Sequence, residues 1–100
     1  MTSKEMCVEI DTLRGKINDL NKKINKGVYN YLNDVIGIKS SNSSASKDLI
    51  GKVVAEEFSW YWNREKDLIT IDYCVFRNEW GDISDEKITY VDFSVLDKYM

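Results

Sequence analysis

Six apolar residues near the start of the chain recur at alternating steps of four and three: Met6, Ile10, Leu13, Ile17, Leu20 and Ile24. The mean step of about 3.5 keeps one narrow apolar seam on a helix, and the positions between are nearly all polar or charged. A helix with such a seam must lay it lengthwise against another helix. Thr2 and Glu5 stand in the T-x-x-E spacing of a capping box, so the helix is expected to start there. With Ile10, Ile17 and Ile24 at a positions and Met6, Leu13 and Leu20 at d, the pattern is the one that favours two parallel strands. The expectation is a homodimer whose interface is Met6, Ile10, Leu13, Ile17, Leu20 and Ile24. The alternative is a seam covered by the chain's own second half. Gly15 falls outside the seam, and Gly27 at a d position ends it.

Past Gly27, the run Val28–Ile36 repeats apolar pairs at helical spacing and stops at Gly37, which predicts a second, shorter helix or a kinked continuation of the first. Ser40-Ser41-Asn42-Ser43-Ser44-Ala45-Ser46 cannot bury itself and reads as a flexible loop. The chain thus divides into a helical oligomerisation segment (1–39), a serine-rich loop (40–46) and a small α+β sheet region (47–100), together one compact domain. In the last region, residues 47–56 fit a helix with Ser46 as N-cap, and Phe58, Trp60 and Trp62 alternate as in a strand. Ile69, Ile71, Tyr73 and Val75 alternate against Thr70, Asp72 and Cys74, which closes a hairpin, and residues 88–95 supply a third β-rich run. The predicted fold class is α+β: a long heptad helix, a short helix, then a three-stranded antiparallel sheet.

Chemistry is constrained mainly by what is missing. The 100 residues contain no histidine, which removes imidazole acid-base pairs and imidazole metal ligands. Cys7 and Cys74 are isolated thiols expected to be structural. The five glycines are scattered, and none stands in a phosphate-binding loop. The acidic groups, Glu56-Glu57, Glu65 with Asp67, and Asp82, Asp85 and Glu86, match no calcium-loop pattern and read as solvated turns and strands. No catalytic, metal or cofactor-binding residue is therefore assigned, and the expectation is a protein that is not an enzyme. No run approaches the length of a membrane span, and the first residues carry no apolar leader, so the chain is expected to be cytoplasmic.

Charge and aromatics indicate the remaining function classes. Residues 1–39 carry a net charge of +2 and residues 40–100 a net charge of −5. Aromatic residues concentrate in the second, acidic part, and a small sheet has one face to give to the helices. Trp60, Tyr61, Trp62, Arg64 and Trp80 are therefore the candidate residues for binding a partner protein. The expected function is a protein-interaction module with an aromatic, acidic sheet surface. Its composition suits a phage-encoded accessory protein or an inhibitor of a host defence protein. The alternative is a nucleic-acid-associated regulator using Lys16, Lys22, Lys23 and Lys26, although the acidic second part opposes phosphate binding.

Overall fold

A computed structural model describes residues 1–13, 18–84 and 86–100. The fold is α+β. Helices α1 (Ser3–Leu13) and α2 (Asn18–Val35) precede strand β1 (Ile38–Lys39), a 3₁₀ turn (Lys47–Leu49), strands β2 (Val53–Asn63), β3 (Leu68–Val75) and β4 (Lys87–Val91), and a single-turn helix α3 (Phe93–Leu96). The sheet runs β1-β2-β3-β4. Its first pair is parallel and the other two are antiparallel.

The capping box forms as the spacing requires. The Thr2 N–H donates to Glu5 Oε1 at 3.0 Å, and the Glu5 N–H donates to Thr2 Oγ1 at 3.2 Å. These bonds hold the Glu5 carboxyl below its ordinary titration range. The chain does not continue from this cap as a single long heptad helix. Met6 lines the same hollow as Lys23, Lys26, Gly27 and Asn30, whereas in one straight helix Met6 and Gly27 would stand about 31 Å apart. Helix α1 packs against α2. Residues 14–17, and with them Ile17, lie outside the described residues, as does the Leu13 side chain.

Nor does Gly27 end a helix, because α2 runs unbroken through it to Val35. A side chain there would collide with Met100 Sδ and touch Leu96, so glycine lets the C-terminal turn approach the helix. Gly37 provides the stop. It takes a left-handed backbone (φ 97°), and its N–H donates to the Leu32 carbonyl at 2.9 Å.

The sheet also differs from the expected three antiparallel strands. A fourth, β1, lies parallel to β2 with Ile38 opposite Val53. Residues 47–56 contain one 3₁₀ turn, with the Asp48 N–H donating to Ser46 Oγ at 3.2 Å, and Val53 already begins β2. At the other end β4 stops at Val91. Phe93 and Leu96, three apart and both buried, belong to α3 instead of a longer strand, because Asp92 O accepts from the N–H groups of Val95 and Leu96, each at 3.0 Å.

One core lies between the helices and the sheet. Met6, Cys7, Leu20, Ile24, Val28 and Leu32 from α1 and α2 meet Ile69, Ile71, Val91 and Leu96. Phe58, Trp60, Trp62 and Tyr73 pack against its margin. A second, small core of Leu49, Val54 and Phe76 sits apart from it. An irregularity between Val53 and Phe58 accommodates both, because β2 gives Val53 to the first core and Val54 to the second.

The serine-rich loop is tied to β2 through one carboxylate. Ser40 Oγ donates to Glu56 Oε1 and the Ser41 N–H to Oε2, both at 2.9 Å. The Ser41 backbone bond, then the Ser40 hydroxyl, lowers the Glu56 pKa below its ordinary 4.5. A depressed carboxylate contributes stability that is present above the unfolded pKa and lost as pH falls through the folded one. Thermal unfolding followed from pH 6 down to pH 3 is therefore expected to show falling Tm, with a shallower fall in Glu56→Gln. An unchanged slope would show that the loop is not anchored this way.

Candidate functional site: the outer face of the sheet

With α1, α2 and α3 on one side, the opposite side of β2, β3 and β4 carries, among the described residues, the 3₁₀ turn over Val54 and Phe76 at one end and no helix over the rest. Alternation along each strand and the observed register place two cross-strand rows there. Tyr61, Thr70 and Tyr90 form one, and Ser59, Asp72 and Ile88 form the next. The large side chains are open to water: Tyr61 is 50%, Ile88 57% and Tyr90 49% exposed. Isolated exposed apolar residues are normal on any surface, but two tyrosines and an isoleucine on adjacent rows of one uncovered face make a patch.

Thr70 stands at the centre of the patch. Its residue is 1% exposed, and its Oγ1 is buried without a hydrogen-bond partner. The directly opposed residues on either side are Tyr61 and Tyr90. A buried hydroxyl without a partner carries its full desolvation cost, about 1–3 kcal/mol. Thr70→Val keeps the shape and removes the hydroxyl. The expected result is a gain of about 1 kcal/mol in urea-denaturation stability, and a loss of stability would contradict the burial of an unpaired group.

Beside the two rows lies a depression of about 240 Å³ lined by Glu56, Glu57, Ser59, Asp72, Cys74 and Glu86 among others. Its charged residues are all carboxylates. Lys66 adds one cation at the edge of the face, its Nζ 4.4 Å from the centre of the Tyr90 ring. Among the described residues no group of three His, Cys, Asp or Glu side chains converges as a metal ion would require.

The partner-binding candidates from the sequence do not share one surface. Trp60 and Trp62 are half-buried and turn towards the helices. Trp62 meets Phe93 edge-on at 6.3 Å between ring centres and donates its indole N–H to Asp67 Oδ1 at 3.4 Å. Arg64 stacks over Trp62 at 5.1 Å and pairs with Asp11 of α1. Trp80, 72% exposed, lies in the β3–β4 turn, where its backbone N–H donates to Asn78 Oδ1 at 3.0 Å. Only Tyr61 belongs to the outer face. Asp72, Ile88 and Tyr90, which complete that face, are identified by the pairing register and not by any local motif.

Of the helix residues expected at a dimer interface, Ile17 and the Leu13 side chain lie outside the described residues. Met6, Leu20 and Ile24 are buried in the main core, and Ile10 packs against it half-buried. Of the lysines, Lys22 lines a hollow beside β2 and Lys23 and Lys26 line another beside Met100, while Lys16 lies outside the described residues. Among the described residues no helix is long and apolar enough to cross a membrane. Comparison with protein-family models, with curated proteins and with solved structures finds no match for this chain.

Proposed function

We propose that the protein is a non-catalytic interaction module that docks a basic segment of another protein on the outer face of its sheet. The observation that supports this reading is the uncovered row Tyr61–Thr70–Tyr90, with its buried and unpartnered hydroxyl. Directly beside it stand carboxylates that, among the described residues, no lysine or arginine pairs within salt-bridge distance. Tyrosine supplies contact area at low entropic cost and is a frequent interface anchor. Glu57, Asp72 and Glu86 supply a field that selects arginine or lysine and accelerates encounter with it. A side chain that parts the two tyrosines would meet the Thr70 hydroxyl.

Selection from a peptide-display library with the immobilised protein tests the reading. Enriched sequences are expected to combine arginine or lysine with an apolar residue. Their affinity should fall more than tenfold in Asp72→Lys and in Tyr90→Ser, each checked for an unchanged circular dichroism spectrum. Absence of enrichment, or binding indifferent to both substitutions, would refute it.

A further inference from the structure

We infer that β2 is also a dimerisation edge, at which the β2 strand of a second copy adds antiparallel about a two-fold axis at Trp60. Strand β2 is paired with β3 down to Asn63, but on its other side β1 covers only Val53 and Val54. The remainder is an open edge among the described residues. The direction of its backbone groups follows from three observations. The Phe76 N–H donates to Lys52 O at 2.9 Å, the Ser84 N–H donates to Val75 O at 2.8 Å, and Val53 opposes Val75. Val75 therefore turns its backbone groups away from β2, and by alternation so do Tyr73, Ile71 and Ile69. Their opposite residues, Phe58, Trp60 and Trp62, then form the pairs without direct hydrogen bonds, and their own N–H and C=O groups point to the open edge.

This edge lacks the usual protection. Residues 58–63 read Phe-Ser-Trp-Tyr-Trp-Asn, with no charge, proline or glycine and high β-propensity. Two hollows meet at Trp60 beneath it, one bounded by Asn21, Lys22 and Asn25 of α2, the other by Cys7, Ile10 and Asp11 of α1. Phe58, Trp60 and Trp62 retain partial exposure there.

The occupant is identified by the order of charges. Glu56 and Glu57 precede the uncharged run and Arg64 follows it. Such a strand is its own complement when antiparallel and clashes with itself when parallel. Centred on Trp60, the pairing sets Phe58 opposite Trp62 of the second copy and Trp60 opposite itself, and it brings the acidic end of each strand, where Glu56 holds Ser40 and Ser41, to the end of the other, where Arg64 pairs with Asp11. All three edge residues are matched, and aromatic cross-strand pairs fill the seam. The result is a closed dimer with one eight-stranded sheet, flanked on each side by the short, five-residue edge strand β4.

Sedimentation equilibrium of the unaltered protein, combined with cross-linking, tests this independently of any binding at the outer face. The mass should rise with concentration from 11.7 kDa towards twice that value. In the Trp60-centred register Ser59 faces Tyr61 of the second copy in a pair without direct hydrogen bonds, where Cβ atoms come close enough for a disulfide. Mixing Ser59→Cys protein with Tyr61→Cys protein under mild oxidation should give a 59–61 link, identified by mass spectrometry of the digested product. Monomeric mass at every concentration would overturn the inference. So would a dimer that yields only 59–59 or 61–61 links, or no link at these positions.

Discussion

Ile24→Asp is expected to leave the chain unfolded at room temperature. Ile24 is completely buried in the core shared by α1, α2 and the sheet. A carboxylate there has no partner, and an uncompensated buried charge costs about 3–5 kcal/mol beyond the packing lost with the side chain. Total stability of a domain of this size is about 5–15 kcal/mol. Far-UV circular dichroism and sedimentation velocity should show an expanded, disordered chain. Val8→Asp is the matched control, since Val8 is 44% exposed on α1 and should change stability by less than about 0.5 kcal/mol. A compact, folded Ile24→Asp monomer would mean that the seam serves only to join two chains and is not built into the fold.

Phe76→Ala carries the second large effect. Phe76 is 1% exposed and is the largest member of the small core with Leu49 and Val54. Its backbone completes the same junction, accepting from the Gly51 N–H at 2.8 Å and donating to Lys52 O at 2.9 Å. Truncating a buried phenylalanine costs about 3–5 kcal/mol. The urea midpoint should fall by more than about 1 M without a change in slope. A loss below about 1 kcal/mol would show that the segment leading from β1 to β2 does not lie against β3 as described.

How far the residues announced this fold depends on which interactions are local. The capping box, the stop at Gly37, the Ser46 cap and the β2–β3 hairpin each depend on neighbours within a few positions, and each is readable from the sequence. The apolar residues of the heptad spacing that are described divide between two helices, Met6 and Ile10 on α1 and Leu20 and Ile24 on α2, and periodicity alone cannot say whether such residues face a second chain or the interior of their own. Gly15, outside the seam, is the available sign in the sequence that one long helix need not persist. Strand β1 was invisible because two residues carry no period, and its pairing partner lies beyond the serine-rich loop.

The candidate site was legible only in part, for a related reason. The alternation of Trp60, Tyr61 and Trp62 separates Tyr61 from its neighbours without any structure. Tyr90 and Ile88 join Tyr61 only when β3 is registered against strands on both sides, with Thr70 opposite Tyr61 and Tyr90. Pairing of this kind has no local signature. The most conspicuous residues, the tryptophans at 60 and 62, are largely occupied by the helices, and the outer face rests on less conspicuous ones.

The outer face itself is best tested by amide chemical-shift mapping of the isotopically labelled protein titrated with a short arginine- and leucine-containing peptide. Perturbations are expected at Tyr61, Thr70, Asp72, Ile88 and Tyr90 on three adjacent strands, and they should disappear in Asp72→Lys. Perturbations confined to α1 and α2, or none at all, would contradict a docking role for this side of the sheet.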